Sequence, residues 1–369
     1  MVYPVASLVL ALTAASPATS ETPKVVSEPA WSEEAEVATA TRASIGVPPK
    51  AGTMSRMQVR DLGQDGIDLA AQYASPDEQI FGTIFIYKPT LPDSGLTFLA
   101  TDEAIRRRLG ETASSIEDQP IAVGGVAKAG RRVIYSSNDR QLGSSALLVI
   151  QAGNWMLKLR VSGPADRTQE IATNLDALAA GLKFGKGSEP LPTHIIQTGP
   201  CEPSSPVSDA KLVKPQKAAA IAQTIMAVPN FVDKNGHAVA DPTDRVPDRL
   251  CLAESTSDGK IPLLTYRTVT ANADSMFKPS IFQLYGDAGH MIEVTRAGKG
   301  VGESYALRHS IGRVIVYGGF ATEPSAVQFE LMRRSSDQLP VVATIKSHGG
   351  GTNTELYCNS FAEGCSAQE

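Results

Sequence analysis

The stretch 147–184, LLVIQAGNWMLKLRVSGPADRTQEIATNLDALAAGLKF, decides the fold of the N-terminal half of this chain. Two apolar and β-branched runs flank the short turn sequence Ala152-Gly153-Asn154. Apolar runs of this length on either side of a Gly- and Asn-containing turn predict an antiparallel hairpin, with strands over Ser144–Gln151 and Trp155–Val161.

An amphipathic helix is predicted directly after the hairpin, over Asp166–Lys183. Its apolar residues recur at spacings of four, three and four, which lines up one helix face: Ile171, Leu175, Leu178 and Leu182. A single apolar face of this kind packs on a sheet.

Upstream segments add three strands and a second helix. The strands are predicted over Ile67–Tyr73, Ile80–Tyr87 and Arg131–Ser137, from alternation and β-branched content. The helix is predicted from Thr101 to a stop at Gly110, because its first turn is acidic and its last turn is basic, which suits the helix dipole.

The order of a strand pair, a helix, an antiparallel meander ending in GNWMLKLRVSG and an amphipathic helix resembles the PsbP-like (Mog/PsbP) α/β/α sandwich. The resemblance covers about Met57–Phe184, and its most specific part is Leu147–Phe184. It implies a domain that binds or assembles with a partner without catalysis, as most members of that superfamily do. The superfamily has no fixed catalytic set, so no site residue is carried over.

The C-terminal half predicts another helix-backed antiparallel sheet. Helices are expected over Gln216–Val228 and Asp337–Lys346, with a turn-rich loop over Asp233–Asp248. The predicted strands are Leu263–Thr270, Ser280–Tyr285, His290–Thr295, Arg313–Tyr317 and Val327–Met332.

An apolar run at the N-terminus and a proline-rich break near the middle of the chain suggest an exported protein of two domains. The apolar run Val5–Ala15 is too short for the ~20 residues of a membrane span and is typical of a signal peptide over residues 1–18, although no Lys or Arg precedes it. Residues 19–56 are interpreted as a flexible leader, 57–184 as the PsbP-like domain, 185–215 as a proline-rich linker and 216–369 as the second domain. The expected location is periplasmic or secreted, with no membrane span after signal removal.

All four cysteines lie in the C-terminal half, and an even number in an exported chain predicts two disulfides. The expected pairs are Cys201 with Cys251 and Cys358 with Cys365, and crossed pairing is the alternative. Closely spaced cysteine pairs, which zinc sites usually contain, are absent from the sequence, so no structural metal is expected.

The sharpest enzymatic pattern is Gly302-Glu303-Ser304-Tyr305-Ala306, which is close to a nucleophile elbow and is followed by Asp337 and His348. A Gly-rich stretch precedes Ser304 and strand-like residues follow it, whereas an elbow needs a strand before the serine and a helix after it. His348-Gly349-Gly350-Gly351 would also have to provide both the base and the oxyanion loop. A serine hydrolase using Ser304 is therefore kept as an alternative only.

Two further loops suggest ligand sites but depart from the known patterns. Gly298–Gly302 has Gly300 after Lys299 where a phosphate loop needs Ser or Thr. Asp233-Lys234-Asn235-Gly236 offers oxygen ligands for calcium, with glycine at the wrong position and prolines interrupting the loop. Neither predicts a cofactor.

The net charge of −5 is spread along the chain, and the densest basic points are Arg106–Arg108 and Arg131-Arg132. No basic block has the density that a phosphate backbone requires, so no nucleic-acid partner is expected. We therefore interpret the sequence as an α+β protein with two helix-backed antiparallel sheets. We expect it to be a non-catalytic binding or assembly module of the bacterial envelope, with an envelope protein as partner. A purely structural envelope protein is a second alternative.

Overall fold

A computed structural model describes most of the N-terminal half of the chain and a set of strands in the C-terminal half. The described ranges are residues 29–34, 36–63, 65–110, 112–138, 143–201, 210–211, 246–257, 262–268, 277–285, 289–297, 304–320, 324–325, 328, 332–334, 341–348 and 351–356. The proposed signal peptide, the predicted helix Gln216–Val228, Cys358 and Cys365 lie outside these ranges.

Twelve described strands and two α-helices make up the N-terminal unit. The elements in chain order are β1 (Trp31–Glu34), β2 (Val37–Ala40), β3 (Ile45–Val47), β4 (Lys50–Ala51), β5 (Met54–Asp61), β6 (Asp68–Ala74), β7 (Phe81–Tyr87), α1 (Ser94–Leu109), β8 (Ser114–Val123), β9 (Val126–Ser136), β10 (Ser144–Ala152), β11 (Trp155–Gly163), a 3₁₀ turn (Ala165–Arg167), α2 (Thr168–Gly181) and β12 (Lys183–Phe184).

Nine described strands belong to the C-terminal part. They are β13 (Gln197–Pro200), β14 (Arg249–Ser257), β15 (Pro262–Thr268), β16 (Phe277–Tyr285), β17 (Met291–Ala297), β18 (Ser304–Ser310), β19 (Arg313–Phe320), β20 (Val341–His348) and β21 (Gly351–Leu356). The described chain is thus mostly β, with a smaller helical share than a pair of helix-backed sheets suggests.

Eight strands form the central sheet of the N-terminal unit, in the order β4-β5-β6-β7-β11-β10-β9-β8. We call it sheet B. The predicted hairpin is its centre, with Ala152 opposite Trp155 at the turn. The small sheet β1-β2-β3-β12 lies beside it.

The two helices cover opposite faces of sheet B. One face packs on the predicted apolar stripe of α2, where Ile171, Leu175 and Leu178 are fully buried. The other face packs on Phe98 and Ile105 of α1. This layering agrees with the α/β/α arrangement that the PsbP-like resemblance implies for this part of the chain.

The nine strands β13 to β21 form a second sheet in sequential order, which we call sheet C. All its neighbouring strands are antiparallel except β13 and β14, which are parallel. One of its faces packs on α1, where Leu96 contacts the cluster that includes Phe282 and Leu284. A helix from the N-terminal unit therefore covers one face of sheet C, whereas the helical residue Met332 packs among Ile281 and Ile292 in the cluster on its other face.

Two of the predicted boundaries are wrong. From Trp31 onward the supposed flexible leader forms β1 to β5, and Ala38, Ala40 and Ile45 are fully buried. Strands β1 to β4 are only two to four residues long and several of their buried residues are alanine or glycine, so they carry little apolar periodicity. The first part of the supposed linker also packs on the protein, since Pro190 bridges to Ala152 and Ile196 is buried. Proline-rich chain can pack along a surface without joining a helix.

Several elements of the C-terminal half also differ from the prediction. The predicted helix Asp337–Lys346 is largely strand β20, because Val341, Val342 and Ile345 favour a pleated strand. The predicted strand Val327–Met332 is wrong, since Gln328 and Met332 are helical. The strand-like residues after Ser304 form β18, and strands β13 and β21 were not predicted.

Candidate functional site

A buried hydroxyl–imidazole–carboxylate chain joins the two sheets beside α1. Thr90 Oγ1 lies 3.0 Å from His309 Nδ1, and His309 Nε2 lies 2.9 Å from Glu293 Oε2. Thr90 precedes α1, whereas Glu293 and His309 stand on β17 and β18. The order of groups matches that of a nucleophile, a base and an orienting acid.

Burial makes this cluster a structural connection. His309 is fully buried, Glu293 is 2 % exposed and Thr90 is 5 % exposed, so a substrate has no access to the hydroxyl. The bonds supply partners for polar groups that would be costly to bury alone. They fix the loop before α1 to the face of sheet C.

A second histidine lies between two carboxylates at the start of α1. His194 Nδ1 is 2.7 Å from Asp93 Oδ2, and His194 Nε2 is 3.1 Å from Asp248 Oδ1. Asp93 is buried and is the N-cap of α1, where its Oδ1 accepts a hydrogen bond from the backbone N–H of Leu96 at 2.7 Å. Asp248 directly precedes β14 and its side chain is 88 % exposed.

The electrostatics of this site favour the protonated imidazole. The hydrogen bond to Asp93 raises the pKa of His194, burial of the ring opposes that shift, and the charges of Asp93 and Asp248 add to it. An imidazolium satisfies the buried carboxylate of Asp93, which would otherwise be an uncompensated charge.

Residues 193–201, which we call the strap, connect the N-terminal unit to sheet C. At one end Thr193 N–H donates to the carbonyl of Lys128, and His194 N–H donates to Ser94 Oγ. At the other end the strap forms β13 beside β14. The predicted disulfide Cys201–Cys251 is confirmed, with 4.7 Å between the two Cα atoms.

The face of sheet B that carries α1 is only partly covered by that helix. Beyond α1, strands β5, β6, β7 and β11 present a surface that we call the open face, formed by Gln58, Gln72, Phe81, Thr83, Arg160 and Ser162. The strand register places Gln58, Gln72, Thr83 and Arg160 in one row across four strands. Phe81, the first residue of β7, is a large apolar residue on this face and is 50 % exposed.

The polar groups of the open face are held in place by one another. Arg160 Nε donates to Ser145 Oγ at 3.1 Å and to Ser162 Oγ at 3.2 Å, and the two hydroxyls are 2.8 Å apart. Gln58 Nε2 donates to Gln72 Oε1. A rigid surface of arginine, amides and an exposed aromatic ring is typical of a protein-binding site.

The residues of the hydrolase hypothesis are not brought together. Ser304 begins strand β18, with strand rather than helix after it, and pairs with Phe320 at one end of β19. His348 ends β20, beyond the pairing of Lys346 with Arg313 at the other end of β19. The two backbone positions are separated by at least the length of β19, roughly 20 Å at ~3.3 Å per residue. Asp337 lies outside the described residues.

The other predicted ligand loops, Gly298–Gly302 and Asp233–Gly236, lie in undescribed parts of the chain. Within the part that is described, no group of three or more His, Cys, Asp or Glu side chains is placed to hold a metal ion. No described helix is both long and apolar enough to cross a bilayer.

The basic points of the sequence are paired with acids on the surface. Arg106 bonds to Asp102, and Arg131 bonds to Asp118 through two nitrogens while lying 3.5 Å from the centre of the Phe98 ring. Arg132 bonds to Asp176 of α2. The sequence drew attention to these arginines but not to the aspartates that pair with them.

His194 and His309 were not singled out by the sequence. Each is paired with carboxylates that lie 16 to 101 positions away. The only local signal was Asp93-Ser94-Gly95-Leu96, a helix N-cap followed by small residues. A histidine within a proline-punctuated segment gives no indication of its partners.

The comparisons with known proteins bear only on the fold of one part of the chain. The solution structure of cyanobacterial PsbP (CyanoP) from Synechocystis sp. PCC 6803 is similar to this chain with 14 % sequence identity and a TM-score of 0.29, over 40 % of this chain and 90 % of that one. This is a weak PsbP-like resemblance, as the sequence pattern predicts. No protein-family model and no curated protein matches the sequence.

Proposed function

We propose that this chain is an exported, non-catalytic binding or assembly module of the bacterial envelope, and that its open face docks on a partner protein. The observation that carries the proposal is the exposed Phe81, two residues before Thr83 on β7 and so beside the row of amide, hydroxyl and guanidinium groups. An apolar ring beside polar groups that are already ordered can bury surface area on binding with little further loss of side-chain conformational entropy.

The histidine clusters support binding over catalysis. The hydrogen-bonding groups of His309 and His194 are directed at other parts of the same chain, where they hold α1, the strap and sheet C together. A catalytic centre needs the same groups to face a substrate in a cleft.

The charge of the open face indicates the chemistry of the partner. Arg60 and Arg160 lie on this face of sheet B with one carboxylate, Asp68, in a chain whose net charge is −5. We infer that the docking segment of the partner is acidic. The disulfide Cys201–Cys251 supports an oxidising location such as the periplasm.

Site-specific crosslinking tests this proposal. A photoreactive phenylalanine analogue at position 81 is expected to give one discrete adduct in the envelope fraction, whereas the same analogue at position 169, exposed on α2, gives none. The adduct should weaken in Gln58→Glu, which adds a negative charge to the open face, and persist in Gln169→Glu.

An adduct that is insensitive to Gln58→Glu, or equal adducts from both positions, would contradict docking at this face. Labelling by a serine-directed activity probe that disappears in Ser304→Ala would instead support the hydrolase alternative.

A further inference from the structure

The strap is attached to sheet C by the backbone pairing of β13 with β14 and by two side-chain connections. One is covalent, the Cys201–Cys251 disulfide, and the other is the contact of His194 with Asp248. Between them, the N–H of Gln197 donates to the carbonyl of Asp248 at 2.8 Å. Asp248 therefore meets the strap through both its side chain and its backbone.

The chemistry of the ring makes the two contacts of His194 unequal. Ionised carboxylates only accept hydrogen bonds, so His194 can donate to both Asp93 and Asp248 only when both ring nitrogens carry a proton. A neutral imidazole has one N–H. Asp93 is buried and its contact is the shorter one, at 2.7 Å against 3.1 Å, so Asp93 retains that donor.

Deprotonation then leaves the lone pair of Nε2 facing the exposed carboxylate of Asp248. An acceptor opposite an acceptor is repulsive, and water can solvate the Asp248 side chain at little cost because it is 88 % exposed. The contact with the N-cap of α1 survives, and the contact with sheet C does not.

We propose that His194 is a proton-operated latch on the strap: the imidazolium holds Asp248 at the start of β14, and the neutral imidazole releases it. This inference goes beyond the proposed binding function and does not depend on the open face. It makes the attachment of the strap to sheet C sensitive to the surrounding pH.

The charged groups around the His194 ring determine the direction in which its pKa is shifted. On the elements that pack against His194 these are Asp93 before α1, Asp248 and Arg249 at the start of β14, and Lys128 on β9, whose carbonyl binds Thr193. The two carboxylates bond to the ring, and they raise the pKa of His194 above its usual value.

The raised pKa of His194 decides how the stability contributed by its contact with Asp248 changes with pH. Below about pH 6.5, the ordinary pKa of histidine in an unfolded chain, the latch contributes fully to stability. Its contribution is lost as the pH rises through the higher pKa of the folded state. The latch therefore closes on acidification and opens at higher pH.

Hydrogen exchange of the strap in the full-length oxidised protein tests the latch. In Asp248→Ala, the amides of 196–199 and 201 should exchange about two- to fivefold faster than in the parent at pH 5.5, the factor expected for a partly exposed ion pair. Because both proteins are compared at the same pH, intrinsic exchange rates cancel. The difference should disappear above the pKa of His194, which NMR titration of the parent provides.

A matched control is Asp166→Ala, which removes one carboxylate on the α2 side of sheet B and should leave the strap unchanged at every pH. Equal exchange of Asp248→Ala and parent at pH 5.5, or an acceleration that does not vary with pH, would overturn the latch. So would a parent titration in which His194 shows a pKa at or below the ordinary histidine value.

Discussion

The two helices that cover sheet B differ in what lies on their far side. Helix α2 packs on the sheet through one stripe and exposes Thr173, Asp176 and Ala180 to solvent. Helix α1 packs on sheet B through Phe98 and Ile105 and on sheet C through residues on its other side. A helix between two sheets becomes part of both cores, whereas a helix on the outside belongs to one.

This difference bears on how the two halves of the chain fold. The sequence predicts separate folding of 57–184 and of the C-terminal part, because a proline-rich break lies between them. The position of α1 instead predicts that loss of sheet C removes one wall of α1. We therefore expect sheets B and C to unfold together.

The largest contrast is expected for a charge placed on the far side of each helix. Ala100 is 8 % exposed and packs in the α1–sheet C cluster, whereas Ala180 is exposed on α2. Ala100→Lys buries an unpaired ammonium and should lower the free energy of unfolding by ~3–5 kcal/mol. Ala180→Lys should change it by less than ~0.5 kcal/mol.

Urea unfolding of the two variants, followed by circular dichroism, measures this contrast. Similar small losses in both would show that α1 is not enclosed by sheet C.

The disulfide should contribute the next largest effect. Cys201 and Cys251 close a loop across a sequence separation of 50 residues, and Cys251→Ser should cost ~2–4 kcal/mol. The loss is expected because the covalent connection of the strap restricts the unfolded chain. Chemical denaturation of oxidised parent and variant measures it, and non-reducing peptide mapping gives the pairing. A Cys201–Cys358 or Cys201–Cys365 bond would contradict the structure.

A smaller effect distinguishes how the two helices begin. The side chain of Asp93 caps α1, whereas the residue before α2, Arg167, makes no capping hydrogen bond. Asp93→Ala should therefore lower stability by ~0.5–2 kcal/mol through the lost cap alone. Asp93→Asn retains a capping group but should lower the pKa of His194, because the main cause of its raised pKa is removed.

NMR titration of His194 in parent and Asp93→Asn checks the second effect, and thermal unfolding of Asp93→Ala checks the first. An unchanged His194 pKa in Asp93→Asn would refute the assignment of Asp93 as its main partner.

The difference in burial between α1 and α2 also explains how well each helix could be predicted from the sequence. Helix α2 was found within two residues at each end, because one-sided burial leaves a regular apolar stripe. Helix α1 was expected from Thr101 but begins at Ser94. Its first half, SGLTFLA, is buried on both sides, so apolar and small residues alternate without a stripe.

The site was harder to predict than the fold. The hairpin of β10 and β11 is local, and the positions of the four cysteines, in a chain expected to be exported, already favoured Cys201–Cys251. The contacts of His194 and His309 depend on packing between distant segments. Single-sequence patterns carry no information on such pairs. The strand expected after Ser304, which argues against a nucleophile elbow, is present as β18.

The central claim is that α1 is a core layer shared by sheets B and C. Native-state hydrogen exchange across a urea series tests it most directly, with mass spectrometry of peptides from α1, β10 and β16. We expect all three to lose protection over the same range of urea, since each depends on the same packed helix. Loss of protection in β16 at low urea, while α1 and β10 stay protected, would show that sheet C unfolds alone and would contradict it.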